Sequence, residues 1–227
     1  MRLLRAAIWL FPLLAGLVNC ASPATYEVTP DNLGICRSGI PLGGIGAGTV
    51  EIRADGKFHE WQIFNNWCAP KGPEVALFAV YARPEGKASV ARALQVSPPR
   101  GLPGVPKIRF TGEFPFATVR PVDPSLPVEV ELEAFTPLIP HDAKNSALPA
   151  AIFKVVVRNR SNVRCDVSVL SCLQNGCGLP DGFRGGVASP VDKIEGKAVG
   201  VLLYPLVGEP PRMSRRVRVL CVADSDR

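Results

Sequence analysis

The chain has 227 residues, 47% of them hydrophobic and 20% charged, with 23 prolines and 21 glycines. That is enough apolar material for a domain with a real core, which excludes a disordered chain. The formal charge of +6 is spread singly except for Arg215-Arg216-Val217-Arg218, which lacks interleaved aromatics; it reads as the solvated face of a strand and excludes a nucleic-acid footprint.

The first twenty residues differ from the rest. Arg2 and Arg5 precede the apolar run 6–18, the basic and hydrophobic regions of a bacterial-style secretory signal, too short to span a membrane comfortably. Losing those two arginines lowers the charge from +6 to +4. Leu17-Val18-Asn19-Cys20 has the form of a lipoprotein cleavage site, which would lipidate Cys20 and attach the chain to a membrane, although Asn19 stands where a small residue is usual. Simple cleavage near Ala21 or Ala24 is the alternative. The expectation is a signal peptide over 1–21 and an exported domain over 22–227, periplasmic, extracellular or lipid-anchored at the cell envelope.

Residues 22–39 form a mixed, proline-containing stretch without periodicity. The run Pro41-Leu42-Gly43-Gly44-Ile45-Gly46-Ala47-Gly48 follows, then two strand-like runs, 47–54 and 57–64, around Asp55-Gly56. Asp-Gly favours a two-residue hairpin turn because it tolerates positive φ. Residues 75–82 are a continuous apolar run of strand length, stopped by Arg83-Pro84-Glu85-Gly86, as suits an inner strand. Pro98, Pro99, Gly101, Pro103, Gly104 and Pro106 exclude helix and central strand over 97–106 and predict a surface loop or rim. Residues 107–119 read as strand with a turn around Gly112. Val128-Glu129-Val130-Glu131-Leu132-Glu133-Ala134-Phe135 alternates with period two, one face apolar and the other acidic.

Further strands are expected over 151–158, 163–172, 200–206 and 217–223, with turns at Asn159-Arg160-Ser161-Asn162, Pro180-Asp181-Gly182 and Gly208-Glu209-Pro210-Pro211. No stretch of helical length shows an amphipathic helical period. The pattern predicts a mainly all-β fold, an antiparallel β-sandwich.

Each candidate for chemistry has a plainer reading beside it. The glycine run is not spaced as G-x-G-x-x-G, is not followed by Gly-Lys-Ser/Thr and leads into a hairpin, so its glycines serve close backbone packing rather than phosphate binding. Glu129, Glu131 and Glu133 could supply the two carboxylates a glycosidase sets across a sugar, but residues two apart on a strand point the same way, and a polar outer face accounts for all three. Strand alternation places His59 on the face of Trp61 and Glu60 on the other. Trp61 and Trp67 read first as core or interdomain residues and second as carbohydrate contacts; they are the candidates for substrate binding. No G-x-S-x-G accompanies the serines near His141 and Asp142, so no nucleophile elbow is expected.

Apart from Cys20, six cysteines remain: Cys36, Cys68, Cys165, Cys172, Cys177 and Cys221. In an exported chain they permit disulfides whose pairing the sequence leaves open, or they are buried thiols. No C-x-x-C pair occurs and neither histidine lies near a cysteine in sequence, so no metal site and no cofactor is expected.

The run from Pro41 through Ile52, with Gly56, Phe58, Trp61 and Gln62 after it, resembles the opening motif of the N-terminal domain of non-lysosomal glucosylceramidases and related bacterial β-glucosidases, glycoside hydrolase family 116. Phe116-Ala117-Thr118-Val119-Arg120, the run Asp123-Pro124-Ser125-Leu126-Pro127 through Thr136-Pro137-Leu138-Ile139-Pro140, and Ser146-Ala147-Leu148-Pro149 through Phe153 with Val157-Arg158-Asn159 are similar to later segments of that domain in the same order. The likeness covers most of 36–176 and is loose from about Gly178.

The resemblance implies a β-sandwich, incomplete here at its C-terminus, that packs against a larger C-terminal (α/α)6 barrel. In the family the barrel supplies the nucleophile and acid/base carboxylates, so no catalytic residue is carried onto this sequence. The expectation is a non-catalytic glycosidase domain, inactive alone, whose partner is that barrel, with a glycoside as a further ligand. The alternatives are a free-standing exported carbohydrate-binding β-sandwich and a non-functional gene fragment.

Overall fold

The structure, a computed structural model, describes residues 23–63, 72–174, 187–188, 192–194, 198–204 and 217–222, with side-chain burial assigned as far as Gln174. The strands in chain order are β1 (Thr25–Val28), β2 (Gly39–Leu42), β3 (Thr49–Arg53), β4 (Phe58–Gln62), β5 (Ala76–Pro84), β6 (Val90–Ala93), β7 (Lys107–Glu113), β8 (Phe116–Val122), β9 (Val128–Phe135), β10 (Ile152–Asn159), β11 (Cys165–Leu173), β12 (Val187–Ala188), β13 (Asp192–Ile194), β14 (Ala198–Tyr204) and β15 (Val217–Val222). One helical turn, α1 (Ala143–Ser146), sits between β9 and β10.

All the pairings are antiparallel. A five-stranded sheet runs β1-β7-β8-β9-β10, and two three-stranded sheets run β11-β5-β6 and β2-β3-β4. A fourth is ordered β12-β14-β13, with β15 on β14. The fold class is the one the residue pattern implied: an all-β antiparallel sandwich.

The inward faces meet in one core. Val128, Val130, Leu132 and Ala134 of β9 are buried in strict alternation, joined by Ile108 and Phe110 of β7 and Ala117 and Val119 of β8, and opposed by Val80 and Ala82 of β5 and Val50 and Ile52 of β3. Where three sheets converge, three rings close the joint. Phe58 of β4 lies 5.4 Å from Phe153 of β10 and 6.3 Å from Phe78 of β5, and Phe78 lies 5.1 Å from Phe153. Each ring comes from a different sheet, and tilted or edge-on aromatic pairs contribute beyond the area they bury.

Local details depart from the sequence expectation for identifiable reasons. The β3–β4 loop is not a two-residue turn. The Arg53 N–H donates to the Lys57 carbonyl at 3.1 Å and the Gly56 N–H to the Arg53 carbonyl at 3.0 Å, a three-residue loop with Gly56 left-handed at φ 79, the conformation such loops require at that position. Gly112 is not a turn but lies within β7, where a Cβ would come within 3.1 Å of Ile40 Cδ1; the reversal is at Phe114-Pro115, between β7 and β8.

The proline-rich stretch contains a short 3-10 turn, Pro99–Gly101, and forms no strand. It is strapped to the sheet edge: the Ala93 N–H donates to the Pro103 carbonyl (2.8 Å), the Val105 N–H donates to the Gln95 carbonyl (3.0 Å), and Val105 is buried. The stretch 22–39, read as irregular, supplies β1, a 3-10 turn at Pro30–Ile35 and the start of β2. The turns expected at Pro180-Asp181-Gly182 and Gly208-Glu209-Pro210-Pro211 lie outside the described residues, as does the leader over 1–21.

Replacing Phe58 or Phe153 with alanine is expected to lower the urea midpoint in each case, and a double-mutant cycle between them should return a coupling of ~0.5–1.5 kcal/mol. Strictly additive losses would mean that the rings do not act as a joint.

Candidate functional site

The hairpin β3–β4 presents the first candidates. Glu51 pairs with His59 and Thr49 with Gln62, so β4 carries one residue more than β3 and bulges. Glu60 takes the extra position at φ 48, held by Arg53, whose guanidinium also bonds Glu51 (3.1 and 2.8 Å). The bulge corrects the reading of faces: simple alternation puts His59 beside Trp61, but the extra residue between them turns Trp61 to the side of Phe58, and His59, opposite Glu51, faces the other way. Trp61 packs with Phe58 three residues back: its Nε1–H donates to the Phe58 carbonyl at 3.2 Å and the rings stand 6.2 Å apart at 67°. It is 8% exposed and belongs to the core. Trp67 lies outside the described residues.

His59 pairs with Asp55 in the hairpin loop, Nε2 to Oδ2 at 3.2 Å. Burial pushes the Asp55 carboxyl up, but the hydrogen bonds from His59 and from the Lys57 N–H (2.9 Å) outweigh it and hold Asp55 below the ordinary aspartate range. The pair pins the loop that precedes β4, a structural use of both groups.

The acidic row of β9 is spent on cations across the outer face. Glu129 takes a bidentate Arg160 (2.9 and 2.6 Å), Glu131 takes Arg120 at 2.7 Å, and Glu133 takes Lys154 at 3.1 Å. The three side chains share one face of one strand, opposite buried Val128, Val130 and Leu132. A glycosidase instead sets its two carboxyl groups on opposite sides of the scissile bond.

The glycine loop joins β2 to β3 and is fixed against the segment after β9. The Thr136 hydroxyl donates to the Gly43 carbonyl at 2.8 Å, and the Ile45 N–H donates to the Ser146 carbonyl at 3.0 Å. A Cβ on Gly44 would lie 2.3 Å from the Leu148 carbonyl, so glycine is required by the closeness of two backbones. The Ile45 and Ala47 amides, committed to the Ser146 and Gly44 carbonyls, are not free to cradle an anion. Thr136 and Ser146, both buried, are the loop-fixing positions that sequence reasoning missed. A small hydroxyl residue in a polar loop gives no sign of a partner ninety residues away.

Cys36, Cys165 and Cys172 are free thiols. Burial, with Asp55 adding to it, pushes the Cys36 thiol up, the reverse of what a nucleophile needs. Cys20, Cys68 and Cys177 lie outside the described residues, and Cys221 is placed by backbone alone in β15. Among the described residues no three histidine, cysteine, aspartate or glutamate side chains gather as metal ligands.

What remains is a scaffold whose polar groups hold one another, carrying the glycine run and the β9 segment in the order their resemblance implied. Residues 39–222 match a family model described as beta-glucosidase 2, glycosyl-hydrolase family 116, N-terminal. The chain belongs to that family. The match runs to residue 222, well past the point near Gly178 where the quoted segments thin out, so β12–β15 are part of the same family 116 N-terminal domain. In that family an N-terminal domain implies a catalytic domain C-terminal to it in cis.

Asp55→Asn is expected to destabilise the domain at neutral pH. Because the folded carboxyl lies below its ordinary value, the ionised form contributes stability above about pH 3.9 and loses it as pH falls through the folded value. Thermal melts should therefore show the gap between variant and wild type closing below about pH 4. For the acidic row, Glu129→Gln should cost no more than ~1 kcal/mol by urea denaturation, since the pair is largely solvated; a loss of several times that would mean the row does more than cover an outer face.

Proposed function

We propose that this chain is a non-catalytic β-sandwich module of a family 116 glycosidase, which packs against an (α/α)6 catalytic barrel and itself breaks no bond. The observation that carries the reading is the family match over 39–222. The placement of the carboxylates supports it: the acidic row faces outward in ion pairs, and Asp55 and Glu60 are bound within their own hairpin. The groups that cleave the glycosidic bond would then come from a different stretch of polypeptide, continuous with this chain or separate from it. The module's work is mechanical: a rigid sheet that buries apolar surface of the barrel and shapes the rim of its sugar site.

The basic and apolar run over 1–18 supports export, with either lipid attachment at Cys20 or cleavage near Ala21 or Ala24. No helix among the described residues is long and apolar enough to cross a membrane. Intact-mass measurement of the chain recovered from an expressing bacterium distinguishes the two outcomes by the acyl mass on Cys20.

The purified chain is expected to hydrolyse an aryl β-glucoside no faster than buffer does. Turnover that disappears in Glu131→Gln would instead place an acid of the reaction on β9 and overturn the reading.

A further inference from the structure

We propose that the end of the sandwich bearing Ile45, Phe114, Phe116, Leu138, Ile139 and Leu148 is the surface on which the family's C-terminal catalytic domain docks. The proposal rests on the module reading above and adds to it the location of the interface.

Topology brings these residues together. Phe116 pairs with Phe135 and Phe135 with Ile152, a row on the outer side of the sheet, since neighbouring Ala117 and Ala134 face the core. The Phe116 and Phe135 rings are 5.6 Å apart. One row further along, the same face reads Thr118, Glu133, Lys154, and beyond that Arg120 is bonded to Glu131. The outer face thus changes from apolar to charged within one step of the pleat, at the end where β7 turns into β8 and β9 leads into the loop 136–151.

That loop adds Leu138, Ile139 and Leu148, and the glycine loop adds Ile45. All six side chains are exposed, from 42% for Leu138 to 62% for Ile45. They do not sit on slack chain. Ile45 and Ser146 share a backbone hydrogen bond, the Ser146 hydroxyl both accepts from the Ile139 N–H (2.9 Å) and donates to the Ile139 carbonyl (3.2 Å), and Thr136 spans from Gly43 to Ala150. Two loops locked by buried hydroxyls hold apolar groups outward, where they cannot fold back into the core.

Clustered, pre-positioned apolar side chains mark a protein interface. The rim argues for protein rather than an anionic membrane, because its charges are matched pairs, Glu133 with Lys154 and Glu131 with Arg120, not the basic fringe that a lipid surface selects. The balanced polar rim around an apolar centre is the anatomy of a protein–protein contact. The occupant is the catalytic domain because the matched model is by description the N-terminal part of a larger glycosidase.

The test mixes the full chain with the C-terminal catalytic domain of a family 116 β-glucosidase, scoring the complex by sedimentation velocity and its footprint by hydrogen exchange. The expected result is a complex in which 43–48, 114–116 and 136–151 gain protection. Ile45→Asp and Leu148→Asp, both on exposed side chains, should weaken it at least ~10-fold with unchanged melting. Leu170→Asp on β11, an exposed apolar stretch outside the proposed surface, should leave binding unchanged. A complex that protects β11, or that Leu170→Asp weakens in place of the loop variants, overturns the docking surface while leaving the module reading intact. Absence of any complex overturns both.

Discussion

The contact on which the rest of the domain depends is the meeting of Phe58, Phe78 and Phe153. Each ring belongs to a different sheet, and their centroids lie 5.1 to 6.3 Å apart. A three-stranded antiparallel sheet buries too little by itself to be stable. Here two such sheets and one face of a five-stranded sheet share a single core. Aromatic rings suit the junction because one flat side chain can touch two neighbours at once in tilted and edge-on geometry. Trp61 extends the cluster through Phe58, its neighbour on β4, in keeping with its first reading in the sequence as a core residue.

Polar groups are distributed around that core by a consistent logic. Buried ones are few and serve loops: Asp55 holds the β3–β4 turn, while Thr136 and Ser146 hold the glycine loop against the β9–β10 connection. Outward-facing ones are paired, Glu131 and Glu133 across strands with Arg120 and Lys154, and Glu129 with Arg160 in the turn after β10. Solvated pairs of this kind contribute little to stability. Their consequence is negative selection: the charged part of this face, beyond the Phe116–Phe135–Ile152 row, offers a stray partner charges already matched.

How much of this was legible in the sequence depended on the range of the interaction. β9 could be read residue by residue, because a half-buried strand writes its two faces directly into alternation. β5 was readable as an inner strand from its unbroken apolar run. The β3–β4 hairpin was readable in outline but not in register, since neither the three-residue loop at Gly56 nor the bulge at Glu60 leaves a period to find, and one uncounted residue reverses a face. Gly112 looked like punctuation and proved to be clearance for Ile40. Four-residue strands such as β1, β2 and β6 are too short to show any pattern, and they are strands because longer neighbours supply their hydrogen bonds. For the site, the outward-facing carboxylates followed from alternation alone, whereas the hydroxyl clamps joining residues 43 and 136 are long-range and invisible until the sheets are assembled.

The glycine run shows why local chemistry was the wrong place to look for function. Its Ile45 and Ala47 amides are used internally and a side chain at Gly44 would collide with the Leu148 carbonyl, so the motif encodes an approach of two loops. A surface made by two loops can be held to a fixed shape only if each constrains the other, and a fixed shape is what allows apolar groups to remain exposed without collapsing. Such groups are costly in water, and a rigid arrangement also removes much of the ordering entropy that a partner would otherwise have to overcome. The same backbone contacts that explain the glycines therefore explain why Ile45 and Leu148 can stand in solvent. On the docking proposal, the likeness carried by that run lies in how two loops are held to one fixed shape by the backbone contacts that its glycines permit.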